Sequence, residues 1–118
     1  MRRLELTKAA AIDLADLLGR SVDMFGLHAR RRYEALIEAA FAELRANPSC
    51  LGSLDRPDIG PGLRTYHLRH SRSHLNPSGA AVGHPRHLIA YEFDDIRVLV
   101  LRVLHDAMDI TRHLGDGG

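Results

Sequence analysis

The sequence predicts an α+β fold of order β-α-α-β-β-β, a helical hairpin packed on one face of a small, mostly antiparallel sheet. Three observations predict it. Two consecutive stretches with apolar residues every three or four positions fill the first half and meet at Gly26. The second half carries apolar runs of strand length. All five prolines (Pro48, Pro57, Pro61, Pro77, Pro85) lie between these regular parts.

Residues 3–6, Arg-Leu-Glu-Leu, alternate as a short strand does. Thr7 then stands where an N-cap belongs, ahead of Lys8-Ala9-Ala10-Ala11. The helix it opens has Ala11, Leu14, Ala15, Leu18, Val22 and Phe25 on one stripe. Gly19 interrupts that helix at a cost of about 1 kcal/mol against alanine, which close packing or a bend would explain. Gly26 ends it. A second helix has the cleanest period in the chain, Ala29, Tyr33, Leu36, Ile37, Ala40, Phe41 and Leu44, and stops near Asn47-Pro48. So short a joint requires the two helices to be antiparallel. Leu63 to Arg69 reads as a strand, 71–85 as a long loop full of breakers, and His87 to Phe93 as another strand. Asp94-Asp95 is a turn, and Ile96 to Leu104 is nearly all apolar on both faces, as a central strand is. Asp106 to Leu114 forms one or two helical turns within a tail spanning 106–118. The expected core is Leu36, Ile37, Phe41, Val98, Val100 and Leu101.

A chain of 118 residues suits one domain, 1–118, and its 45% apolar content is that of a globular protein. No apolar run exceeds four residues, as at Val98 to Leu101, which is far too short to span a bilayer, so no membrane partner is expected. The basic start has no apolar h-region behind it, which argues against a signal peptide. A lone Cys50 rules out a disulfide framework and fits a reducing, cytoplasmic location. Net charge is +1 but unevenly placed: zero over 1–58, +4 over the acid-free span 59–91, and −3 over 92–118. The basic span also holds His67, His70, His74, His84 and His87. It either attracts an anionic partner or is a solvated, loop-rich surface.

Arg102 lies in the most apolar strand, where a charge needs a partner or a wet cleft. Either its planar fork binds an anion, or it pairs with an acid such as Asp106 or Asp109. Arg64, at the mouth of a strand, is a second anion-binding candidate or an ordinary surface arginine. His105 is a candidate general acid or base, or an interior histidine bonded to a backbone carbonyl. The histidine cluster matches no zinc spacing, so no metal is expected. There is no Gly-x-Gly-x-x-Gly, Walker A, Gly-x-Ser-x-Gly or Cys-x-x-Cys, and no cofactor is expected.

The order of elements resembles the RelE/ParE superfamily of bacterial type II toxins, ParE-like group. So do Leu6-Thr7-x-x-Ala10-x-x-Asp13-Leu14, Phe41-x-x-Leu44-x-x-Asn47-Pro48 and Asp58-Ile59-Gly60-Pro61-Gly62-Leu63-Arg64. Arg86-His87-Leu88-Ile89-Ala90-Tyr91 resembles that family's third strand, and the run from Arg102 to Asp109 its ParE-group ending. The resemblance implies a toxin neutralised by a cognate antitoxin, with Arg69, Arg72 and Arg86 as the expected antitoxin contacts. ParE-like members inhibit DNA gyrase; for that reading Arg64, Arg102, His105, Met108 and Asp109 are the expected target-binding residues, and no bond is cleaved. RelE-like members cleave messenger RNA on the ribosome; for that alternative Arg64, Arg102 and His105 are the catalytic candidates. Arg64 and Arg102 match two arginines of the RelE set, but Lys8 is the only lysine and no tyrosine follows Tyr91. The ParE-like reading is therefore preferred. A decayed member that binds only its antitoxin is the remaining alternative.

Overall fold

The computed structural model describes residues 1–74 and 85–108, and at 72–74 the backbone alone. Strand β1 (Arg3–Leu6) leads into helix α1 (Lys8–Phe25) through Thr7. The Thr7 hydroxyl oxygen accepts from the Ala10 N–H (3.1 Å), satisfying one of the helix's orphan donors, and donates to the Leu101 carbonyl (2.7 Å). One residue, Gly26, separates α1 from α2 (Leu27–Ala46). Its φ of 88° lies in the left-handed region that side-chain-bearing residues avoid, which is why the reversal falls on a glycine. Asn47 caps α2, and Pro48 cannot extend it.

The strands that follow are β2 (Ser53–Asp55), β3 (Arg64–His67), β4 (His87–Phe93) and β5 (Arg97–His105), with a 3₁₀ turn at Leu68–His74 after β3. The sheet order is β1-β5-β4-β3-β2. Among the described strands only β1–β5 is parallel, because the helical hairpin carries the chain back to the starting end before the sheet is built. At the β4–β5 turn, Asp94 Oδ1 accepts from the Ile96 and Arg97 N–H groups, closing the loop with a local side chain.

The helices and the inner face of the sheet share one core: Ala10, Leu36, Ile37, Ala40 and Leu44 against Tyr66, Ile89, Tyr91, Val98, Val100 and Val103. Burying that face is what holds the two layers together. Of the expected core, Leu36, Ile37, Val98 and Val100 are buried, whereas Phe41 and Leu101 are only half-buried. Phe41 sits at the rim, where α2 passes the sheet edge. Leu101 is displaced by a bulge: Ala90 faces Arg102 and Tyr91 faces Val100, so Leu101 has no partner. The extra residue shifts the inward positions from Val98 and Val100 to Val103. Arg102 therefore does not continue the face of Val98 and Val100 as simple alternation predicts.

Two other expectations change. The strand expected over 63–69 ends at His67 and tightens into the 3₁₀ turn. β2 goes unseen in the sequence because it is a three-residue edge strand with no alternation to read. In the expected 71–85 loop, residues 71–74 belong to the 3₁₀ turn, while 75–84 lie outside the described residues. Of the expected tail helix, Asp106 to Met108 form a turn and 109–114 lie outside. Among the described residues, no helix is long and apolar enough to cross a membrane.

Candidate functional site

Antiparallel pairing brings the end of β3, the start of β4 and the end of β5 together at one edge of the molecule. His67 lies opposite Leu88, and His87 lies directly opposite His105. The two rings of the second pair meet edge to face, 5.3 Å between centroids. From the helical layer, Tyr33 reaches the same point, its ring 5.6 Å from that of His87. Three imidazoles, a phenol and the carboxylate of Asp106 thus converge from four separate segments.

The hydrogen bonds fix who donates. The Arg86 N–H donates to Tyr33 Oη (3.3 Å), and Tyr33 Oη lies 2.7 Å from His87 Nδ1. Burial pushes the Tyr33 phenol up, so it keeps its proton and donates it to His87. The His87 Nδ1 is then an acceptor, and its proton sits on Nε2. Burial, with His105 as a further cause, pushes the His87 pKa down to about 4, so this imidazole is neutral at physiological pH. His67 Nδ1 accepts from the Arg69 N–H (3.1 Å), which leaves His67 Nε2–H to donate to Asp106 Oδ2 (2.9 Å). That bond, aided by the Arg86 guanidinium (Nε to Oδ1, 3.0 Å), holds the Asp106 carboxyl below the usual carboxylate range. His105 Nδ1 accepts from the Ala107 N–H (3.1 Å), and its side chain is 38% exposed. His105 is thus the open face of a cluster whose other members are held from behind.

The two strand arginines do not join this cluster. Arg102 makes a two-pronged bond with Asp13 of α1 (Nε to Oδ2, 2.8 Å; Nη2 to Oδ1, 3.0 Å). Asp13 Oδ2 also accepts from the Val103 N–H (3.0 Å), covering the β5 edge where β1 has ended. The acid that pairs with Arg102 is therefore Asp13, neither Asp106 nor Asp109; sequence proximity pointed to the wrong carboxylate. Arg64 donates through Nε to Ser53 Oγ (2.8 Å), and that hydroxyl is bonded to the Tyr91 hydroxyl. Tyr91 in turn donates to the Pro48 carbonyl. Arg64 and His67 stand at opposite ends of β3, and Arg64 and Arg102 are separated by β4.

Arg86 is 59% exposed and shares Asp106 with His67. Arg69 is exposed on the 3₁₀ turn beside it; Arg72 lies on the same turn, its side chain outside the described residues. Met108 is 44% exposed just past His105, and Asp109 lies outside. Among the described residues, no three His, Cys, Asp or Glu side chains are arranged to hold a metal ion. His70 lies apart from the cluster, packed on Tyr66 and against Gly52, where a Cβ would meet its ring at 2.6 Å. The sequence reading placed His105 here but missed Tyr33, His67 and His87 as its companions. A histidine at three consecutive strand ends was the available signal.

With this geometry, the similarities to known proteins are informative. The family model for the ParE toxin of the type II toxin-antitoxin system, parDE, matches residues 4–110. The fold is similar to that of the chromosomal ParDE TA system from P. aeruginosa: TM-score 0.59, 20% identity, covering 89% of this chain and 96% of that one. It is also similar to the E. coli DinJ-YafQ complex, with TM-score 0.52, 15% identity and coverage of 91% and 96%. An E. coli YafQ point mutant gives TM-score 0.53 at 15% identity, with the same coverage. No curated protein sequence matches the chain significantly.

Proposed function

This chain belongs to the ParE toxin family of type II toxin-antitoxin systems, and from that premise we propose that it arrests growth by binding DNA gyrase and is neutralised by a cognate antitoxin. One observation supports binding over bond cleavage. The two strand arginines that would have to gather around a phosphate are engaged inside the molecule, Arg102 by Asp13 and Arg64 by Ser53. The target-binding surface of this reading is His105 and Met108, both open to solvent at the strand end away from Arg64, with Asp109 proposed from its place in the sequence alone. For the antitoxin we propose the exposed Arg69 and Arg86, together with Arg72 on the same 3₁₀ turn as Arg69.

A second reading rests on a different observation, the convergence of His67, His87, His105, Asp106 and Tyr33. These are the residue types of general acid–base chemistry, and they suit a RelE-like, ribosome-dependent messenger-RNA endoribonuclease. One paired assay separates the two: DNA supercoiling by purified gyrase, and messenger-RNA cleavage on purified ribosomes, each with wild type and His105→Ala. The binding reading expects gyrase inhibition that His105→Ala weakens only partly, because no proton transfer depends on it. Cleavage by wild type that falls about 100-fold or more in His105→Ala would replace it with the second reading.

A further inference from the structure

Helix α1 carries features that the single chain does not need. Gly19 stands in the interior of an unbroken 18-residue helix. Glycine weakens a helix interior through backbone entropy, and nothing within the chain calls for it: a Cβ at Gly19 would meet no atom within 4 Å, and its φ is not in the left-handed region. Ile12 is 51% exposed, on the side of α1 opposite Ala10, Leu14, Leu17 and Leu18, which face the core. Lys8 lies in the first turn and Asp23 in the last, each at the helix end whose dipole repels it. Both are exposed, and among the described residues neither has an ion-pair partner. At 3.6 residues per turn, Lys8, Ile12, Gly19 and Asp23 share an outward arc of about 60°. Their order is symmetric: Lys8 and Asp23 are equally far from the point between Ala15 and Asp16, and so are Ile12 and Gly19.

We propose that α1 packs antiparallel on α1 of a second copy of this chain, about a two-fold axis through that midpoint. The axis sets Ile12 of each copy into the hollow at Gly19 of the other, and Lys8 of each beside Asp23 of the other. The missing Cβ lets the helices approach closely, at or below the usual spacing of about 8–10 Å, and the contact takes Ile12 out of water. Antiparallel helix dipoles attract, and each charge at the wrong helix end meets its opposite. The occupant is a copy of this chain because the four residues complement their own reversed order. An unrelated partner gives no reason for α1 to carry both the knob and the hollow, and both charges, at matched distances from one point. Asp16 alone works against the pairing: it is exposed beside the axis, where it faces Asp16 of the other copy. This face of α1 is one that the gyrase, antitoxin and ribonuclease readings leave unassigned, so the pairing stands or falls apart from them.

Sedimentation equilibrium of the full chain tests it, and should show a reversible monomer–dimer equilibrium with a dissociation constant below about 1 mM. Gly19→Gln is the decisive variant. In the single chain it enters open space and improves helix propensity, so the melting temperature at low protein concentration should hold or rise. In the pair it fills the hollow, and the dissociation constant should rise about tenfold or more. Ile12→Glu should weaken the pair comparably, because it carries a charge into the contact. Lys8→Asp and Asp23→Lys should each loosen the dimer about threefold or more, and the two together should restore it with the signs exchanged. Asp16→Asn should tighten association. In the other antiparallel register, with Ile12 on Ile12 and Lys8 beside Asp16, the same change would loosen it. A chain still monomeric at about 1 mM would overturn the proposal. So would a dimer indifferent to Gly19→Gln, one loosened by Asp16→Asn, or a double charge exchange that binds no better than the single variants.

Discussion

The two ends of β4 use polar groups in opposite ways. At the Tyr91 end, hydroxyls and a carbonyl close on one another: Tyr91 is fully buried, bonded to Ser53 and Pro48, and Arg64 completes the set. At the His87 end, imidazoles and a carboxylate meet beside solvent, with His105 38% and Arg86 59% exposed. Neutral hydroxyls and a carbonyl that satisfy each other tolerate a dry site, with the one charge, Arg64, kept at its half-buried margin, whereas groups that gain and lose protons near neutrality need water or a charge partner close by. The first end therefore pins the loop after α2 to the sheet, and the second leaves titratable groups available to an outside molecule.

The largest expected effect lies at the dry end. Tyr91→Ala removes a buried ring, strands the Pro48 carbonyl and leaves Ser53 Oγ only its bond from Arg64, and should cost about 3–5 kcal/mol in urea denaturation. A loss under about 1 kcal/mol would erase the distinction between the two ends.

The wet end should respond to acid instead. The folded-state pKa of His87, about 4, lies below the value of about 6.5 expected in the unfolded chain, so between those limits the unfolded state binds the extra proton. Stability from this group is thus complete above about pH 6.5 and is lost as pH falls toward about 4. Solvent still screens the ring, and the loss should be on the order of 1 kcal/mol in melting curves taken across that range. Asp106 acts in the same direction but lower, losing its contribution only as pH drops below the ordinary carboxylate range. Tyr33→Phe deletes the donor to Nδ1, so His87 should titrate at higher pH by NMR and the acid loss should shrink. An unmoved His87 titration would show that burial alone holds it neutral.

The smallest effect sharpens the same contrast. Arg86→Ala removes an exposed guanidinium from a carboxylate that keeps its bond to His67, and should cost less than about 1 kcal/mol by thermal melting. A cost near that of Tyr91→Ala would mean that the histidine end is as structural as the tyrosine end.

Local elements were legible wherever the signal is local. Thr7 read as a cap because a hydroxyl before an alanine run has one obvious use, and it accepts the Ala10 N–H. Gly26 and Pro48 mark the helix ends because each restricts or frees φ on its own. β1 and β4 fall at 3–6 and 87–93, as alternation requires. β2 escaped because three residues at a sheet edge hold no period, and the β4–β5 bulge escaped because one extra residue leaves no mark in composition.

The sequence by itself determined the fold class, the order of the major elements and the basic middle span, since periodicity, capping and charge are properties of neighbours along the chain. Only the tertiary structure decided which distant groups meet. Asp13 reaches Arg102 from 89 positions away because α1 lies along the β5 edge beyond β1. His67, His87 and His105 converge because strand register, not spacing along the chain, sets which side chains stand side by side. Phe41 became a rim residue rather than a core residue because α2 passes the sheet at its edge, and a stripe of apolar residues cannot say where its covering surface ends.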